Sequence, residues 1–455
     1  MRGLVESARL KREHRAEPPG PAKLIVRVIF PRVQFAEIAG IGLLPGPWGP
    51  ARMNTAAVRR LAVPSPDELI ERARAMVPEI RALAEETERS RTLLPQIVEQ
   101  IRQSELLRTC RPRVFGGFEY DGEVALRIAL TISAACASTG WTVNGAVSNG
   151  YSLAHWPIEA QRELWEGDAD PFTFACFAPT GTAIPVEGGY RLSGTWSFAS
   201  GCDIAQWGKL GAMITPPGKK PPFDGAFFLL PVDDLEIVDN WFVCGLAGTG
   251  SKDIVVKDAF VPAHRVLLFS ETRAGTSPGA RHHDNPIYRL PLLMVGASML
   301  ASTAIGAAKG ALDAFVETTT GRKTRGALAG GNLRMAEFAT VQLRVAEAAA
   351  SVEAAELILL TDMQMALKKL RAGGEITVAD RIRARRNQAY VTRLALQAAE
   401  ALNAATGGYG LHLSNPVQRA WRDANAVARH VSLNWDAVGT MYGQHVFGLE
   451  PKGQY

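Results

Sequence analysis

From Ser65 to Leu107 apolar residues recur three and four positions apart, with Leu69, Ala73, Met76, Ile80, Leu83 and Ala84 on one face and charges between them. That period predicts helix, and Ser65 followed by Pro66 supplies its start. Asp121 opens a further helix expected to run through Ser133, Ser138-Thr139-Gly140 breaks it, and Trp141 begins another that resumes after Pro157 to Trp165. Over residues 170–270 valine, phenylalanine and glycine rise, and Gly225–Pro231 and Asp253–Pro262 read as strands bounded by turns. After a polar loop, Thr272–Asn285, helical spacing returns and predicts helices over roughly 291–319, 333–372, 377–405 and 417–444. Helices, then strands, then long helices point to an α+β chain closed by a C-terminal bundle. Long alanine-rich helices also suit packing against further copies of themselves, so a homotetramer is expected.

Composition narrows the function classes. The 455 residues are 47% hydrophobic and 21% charged with a net charge of +5, ordinary proportions for an enzyme with a sizeable core. Lysine and arginine are scattered, with no basic run joined to aromatics, which argues against nucleic acid. Five cysteines without a C-x-x-C pair fit a reducing cytoplasm and no metal site. No run reaches the roughly 18 apolar residues expected of a membrane span. Residues 1–52 mix charges, prolines and a short apolar patch, and are expected to be a disordered or mis-started extension, with Met53 as the true beginning.

The densest information lies between Phe172 and Trp207. Pro179 and Gly181 punctuate a first strand, Glu187-Gly188-Gly189 makes a tight reversal, and Trp196-Ser197-Phe198-Ala199-Ser200-Gly201 closes the second strand. A hydroxyl beside a glycine at a strand end can approach a flat ring closely and hydrogen-bond it. A second informative stretch is Gly407-Gly408-Tyr409-Gly410, followed by Arg422-Asp423 and His430. Arg422 and Asp423 are adjacent and point apart, which suits holding neighbouring elements together. His430, seven residues on, is expected two turns further along the same helical face.

Together these motifs resemble the acyl-CoA dehydrogenase superfamily over residues 60–450, and in particular its branch of two-component flavin-dependent monooxygenases, the oxygenase components of aromatic hydroxylases. The resemblance implies an N-terminal helical domain (60–168), a middle β-barrel-like domain (169–270) and a C-terminal four-helix bundle (286–448). It implies reduced FMN or FAD delivered by diffusion from a separate flavin reductase, since no strand–G-x-G-x-x-G–helix fingerprint is present. With O2 the flavin would form a C4a-hydroperoxide and hydroxylate an aromatic or heteroaromatic small molecule.

By the same resemblance Ser200 faces flavin N5 and His430 manages a proton, both catalytic. Ser200, Trp141, Thr249, Ser251, Arg322 and Gly408 contact the flavin, Arg322 through the phosphate of a neighbouring subunit. Asn149, Ala175, Cys176 and Arg289 border the substrate pocket. Phenol hydroxylases of this branch tend to carry a histidine where Asn149 stands and a serine where Ala175 stands, so an indole, a heteroaromatic sulfur compound or an amine competes with a phenol as substrate. His155 is expected on the exposed side. Two rival readings remain: an acyl-CoA dehydrogenase with bound FAD, disfavoured because residues 428–432 lack a carboxylate, and an inactive helical scaffold of the same fold.

Overall fold

Ser65 caps the first helix as its sequence predicts: its side chain accepts from the Glu68 backbone N–H, Glu68 answers to the Ser65 N–H, and Pro66 occupies the first turn. The computed structural model describes residues 63–167, 170–221, 223–323 and 333–455. The segment 1–52 lies outside them. The N-terminal helical run divides into α1 (Pro66–Ala82), α2 (Ala84–Ser90) and α3 (Pro95–Gln103), followed by α4 (Gly122–Ala135), α5 (Ala137–Ser152) and α6 (Ile158–Gly167). The break between α4 and α5 falls at Cys136, whose backbone is extended, and Ser138-Thr139-Gly140 lies inside α5. Gly140 is there for packing: a Cβ would sit 2.1 Å from Ser133 Oγ on α4.

The strands β1 (Thr173–Val186), β2 (Gly189–Ala199), β3 (Trp207–Ile214), β4 (Gly225–Pro231), β5 (Glu236–Val238), β6 (Lys252–Pro262) and β7 (Val266–Leu268) form one sheet ordered β5-β6-β2-β1-β3-β4-β7. Its ends are the edges β5 and β7. The predicted reversal holds: Val186 pairs with Gly189, and Gly188 takes φ +77°. β1 and β3 run parallel, with Ala175 opposite Lys209 and an irregularity between Cys176 and Gly181.

After α7 (Phe269–Ala274) come α8 (Leu292–Thr320), α9 (Ala339–Arg371), α10 (Val378–Ala405), α11 (Pro416–Ala428) and α12 (Trp435–Val446). Helix α8 is long and apolar enough to cross a membrane by length and composition, but it is enclosed by α4, α5, α10 and α11. The helix expected over 417–444 is two, because His430 and Asn434 each turn a side chain back onto the backbone and cap the next helical turn. His430 is therefore off the helical face on which the sequence put it.

Candidate active site

Helix α5 packs against the sheet and against α8. At its N-terminal end the Trp141 indole N–H donates to Ser200 Oγ at 3.0 Å. Ser200 Oγ lies 2.6 Å from Ser251 Oγ, which lies 2.6 Å from Thr249 Oγ1, and Thr249 Oγ1 donates to the Leu246 carbonyl at 2.7 Å. One proton per hydroxyl fixes the direction of this relay. Thr249 gives its proton to the carbonyl, so Ser251 donates to Thr249 and Ser200 donates to Ser251. Ser200 has then used its donor and one lone pair, and it presents the other lone pair as an acceptor.

The end of β2 is built for close approach. Gly201 takes φ +79°, and a Cβ there would lie 2.9 Å from Thr142 Cγ2. The pairing of β2 with β6 shifts between Trp196 and Ala199. That bulge turns Phe198 outward at φ +68° with 68% exposure, an uncommon conformation for a bulky residue and a mark of functional constraint.

His430 comes from the turn after α11, and its ring centroid is 5.7 Å from that of Trp141. Its Nδ1 accepts from the Ser432 N–H at 3.1 Å, so in the neutral ring Nε2 carries the proton. Burial, with the nearby Arg385 guanidinium, pushes its pKa down to about 4. His430, expected to manage a proton, is thus held as a neutral donor.

The loop carrying Leu246, Thr249 and Ser251 is pinned by α11. Asp423 Oδ1 accepts from the Leu246 N–H at 2.6 Å, and Arg422 donates to the Cys244 carbonyl at 2.6 Å and to Glu88 of α2. The pair binds elements together, as its adjacency in sequence implied. Burial raises the Asp423 pKa to about 6.

Further along α5, Asn149 Nδ2 donates to the Thr173 carbonyl at 2.8 Å, and its Oδ1 accepts from Lys209 Nζ of β3. Lys209 also donates to Ser152 Oγ at 2.8 Å. It is 1% exposed, and burial pushes its pKa down to about 7. Sequence reasoning missed it. The signal was a lone charge in the otherwise uncharged strand WGKLGAMI.

Ala175 sits beside Lys209 in register, on the α5 side of the sheet. Cys176, the next residue, alternates to the other face; it is buried, its thiol is pushed up by burial, and its charge neighbour is Cys202. The structure therefore separates Cys176 from Asn149. Arg289 is exposed, and the carbonyl of the next residue, Leu290, accepts from the Tyr151 hydroxyl of α5. Arg322 donates to the Thr406 carbonyl at 2.8 Å and lies over the Tyr409 ring, 4.9 Å from its centroid. With exposed Gly408 it forms a second group, and no bond among the described residues joins it to the Trp141–Ser200 group. His155, expected to be exposed, is 6% exposed, with neither ring nitrogen partnered among the described residues; its ring packs edge-on against Tyr151.

The Trp141–Ser200 group fits one edge of a reduced isoalloxazine. Ser200 has a free acceptor lone pair of the kind a ring N–H would need, and the His430 ring beside Trp141 carries a donor on Nε2.

Residues 298–435 match the family described as acyl-CoA dehydrogenase, C-terminal domain. The chain is 52% identical over 348 residues, 75% of its own length and 85% of the relative's, to the oxygenase component of FADH(2)-dependent resorcinol hydroxylase from Rhizobium sp. (strain MTP-10005). It is 35% identical over 84% of its length, and 98% of the relative's, to the oxygenase subunit HsaA of a flavin-dependent monooxygenase from Rhodococcus jostii (strain RHA1). Among solved structures, XiaF from Streptomyces sp. in complex with FADH2 and glycerol superposes with a TM-score of 0.79 at 30% identity, covering 86% of this chain and 97% of that one. The fold and these relatives make the chain a member of the oxygenase components of two-component flavin-dependent monooxygenases, which use reduced flavin from a separate reductase and have the acyl-CoA dehydrogenase-like fold.

Proposed function

We propose that this oxygenase hydroxylates a small single-ring phenol of the resorcinol kind, with reduced FAD as its preferred flavin. The relay that leaves Ser200 as a pure acceptor carries the site assignment. The 52% identity to a resorcinol hydroxylase component supports the substrate class. It weighs against the indole, sulfur and amine alternatives raised by Asn149 and Ala175.

Bound reduced flavin supplies the activation of O2 and the transfer of one oxygen atom. The protein's part is binding, orientation and exclusion of water. Ser200 would accept from the N–H of the reduced ring, and Trp141 and Ser251 fix the Ser200 rotamer. Gly201 lets the strand end come close, and His430, beside Trp141, keeps its proton on Nε2. Arg322 and Gly408 suit a flavin phosphate at a contact between copies of the chain, which accords with a homotetramer. The three-part layout (60–168, 169–270, 286–448) and a cytoplasmic location belong to this reading.

Anaerobic titration with photoreduced FMN and FAD, then admission of O2 with a panel of aromatic compounds, tests it. Tighter binding of reduced than of oxidised FAD, and O2-dependent hydroxylation of resorcinol, are expected. Bleaching of a bound oxidised flavin by an acyl-CoA would refute it.

A further inference from the structure

Helix α5 has one incompletely buried stripe. Trp141, Gly145, Ser148 and Ser152 follow one another at four, three and four residues, the spacing of a single helical face. Gly145 lies mid-helix, where glycine is unfavourable by about 1 kcal/mol relative to alanine, and a Cβ there would meet nothing within 4 Å. The stripe therefore borders open space. Its first residue bonds Ser200, and its last bonds Lys209. From Trp141 to Ser152 the helix rises about 16 Å, room for a single aromatic ring between the two ends.

Lys209 has no structural explanation of the ordinary kind. Buried ammonium groups are paired with carboxylates or lie close to one. Among the described residues Lys209 bonds only the neutral Asn149 and Ser152, and its nitrogen is 5.9 Å from the centroid of the half-exposed Phe177 ring. Its strand neighbours in register are Ala175 and Leu229. Burial is the sole cause of its lowered pKa, with no charge acting on it. A lysine has three hydrogen positions, and two are used. Asn149 is tied at both ends of its amide, donating to the Thr173 carbonyl and accepting from Lys209, and it has no basic atom to take up a proton.

We propose that Lys209 binds the hydroxyl oxygen of the phenolic substrate and takes up its proton. This rests on the phenol reading above and names the residue that recognises the hydroxyl. In the step, the substrate O–H bond breaks and an N–H bond forms on the neutral amine. The electron pair stays on oxygen as a phenolate beside the new ammonium, and the ring carbon ortho to it gains electron density for attack on the oxygen atom supplied at the Ser200 end. The proton returns to the oxygen as product leaves. A neutral lysine fraction near neutral pH makes the transfer accessible, and Asn149 and Ser152 are positioning residues that aim the nitrogen. Ala175, beside Lys209 in register, adds no polar atom that would compete for the third position of the nitrogen.

The test is a resorcinol titration of the full chain without flavin, followed by ultraviolet difference spectroscopy between about pH 6 and pH 9. For the wild type, bound resorcinol should ionise at least about one unit below the free compound. Lys209→Met should abolish that shift and weaken binding at the high-pH end by about tenfold, with an unchanged far-ultraviolet circular dichroism spectrum. Should Lys209→Met fail to fold, Lys209→Gln makes the same comparison, since it keeps donors for Asn149 and Ser152 but has no titrating nitrogen. If the wild type binds resorcinol only as the neutral phenol, or either folded variant keeps the phenolate band, the assignment of Lys209 is overturned while the phenol reading stands. If the wild type does not bind resorcinol at all, the phenol reading falls and takes this inference with it.

Discussion

At the residue scale, Ser200 is defined by the direction of a proton relay. Replacing it with alanine deletes the acceptor but leaves Trp141, Ser251 and Thr249 in place. Ser200→Ala is expected to fold normally and to release several-fold more hydrogen peroxide per O2 consumed, measured by peroxide and product assays run together. Unchanged coupling would remove its assigned role. His430 leads to a different expectation. With its pKa held near 4, its charge does not change across neutral pH, so coupling should show no histidine-like inflection between about pH 5.5 and pH 8. His430→Asn, which loses the Nε2–H, should lower coupling at every pH in that range. The sequence marked Ser200, Trp141 and His430 because each sits in a short motif. It could not show that Thr249 and Ser251 orient Ser200, since the relay crosses from β2 to a loop some fifty residues away. It could not show that His155 is buried, because one histidine in a helical stretch carries no sign of which side faces the core.

At the element scale, helices with a cap and a long apolar period were legible: Ser65 and Asp121 cap the helices they were expected to open, and the helix expected from 377 is capped by Thr377. Where boundaries departed, backbone chemistry decided. Cys136 adopts an extended conformation between α4 and α5, and the turn at His430 interrupts what periodicity reads as one helix. That interruption takes His430 off α11 and places it beside Trp141. The loop before β6 depends on α11 in the same way, through Asp423 and the Leu246 N–H, with Leu246 itself at φ +54°. Asp423→Ala leaves that buried N–H without a partner and should cost about 1–3 kcal/mol, seen as a lower denaturation midpoint together with weaker reduced-flavin binding. Asp423→Asn keeps an oxygen acceptor. The carboxyl pKa is raised to about 6 in the fold from an ordinary value of 3.8, so the folded state holds more protons than the unfolded state between those values. Stability from this group therefore falls as pH rises through that window, and its burial penalty is complete above about pH 6. Asn carries no such penalty, so Asp423→Asn should match or exceed the wild type at neutral pH. A loss as large as that of the alanine variant would show that the charge, rather than the acceptor, holds the loop.

For the molecule as a whole, histidines shielded from water weaken the fold at acid pH: burial lowers the pKa of His155, His283 and His430. His155 and His430 both have their pKa pushed down to about 4, by burial in each case, with His283 adding to the effect at His155 and Arg385 at His430. Between their ordinary value of 6.5 and about 4, the unfolded chain binds protons that the folded chain refuses. Stability therefore falls as pH drops through that window and is unaffected by these groups above it. At 1.36 kcal/mol per unit, each contributes at most about 3 kcal/mol of lost stability once pH reaches 4, a large fraction of what a domain commonly has. His155 is the cleaner probe, because neither ring nitrogen has a partner among the described residues and the ring already packs edge-on against Tyr151. His155→Phe keeps that aromatic contact and removes the titration. Urea unfolding of both proteins from about pH 7 down to pH 4.5 should give similar midpoints at the neutral end and a shallower decline for the variant at the acid end. Parallel declines would mean that His155 accepts its proton in the folded molecule, through a partner reached by rearrangement around Tyr151 and His283. In that case the acid sensitivity would have to come from other groups, His283 and His430 among them, and the part due to His430 would move with Arg385.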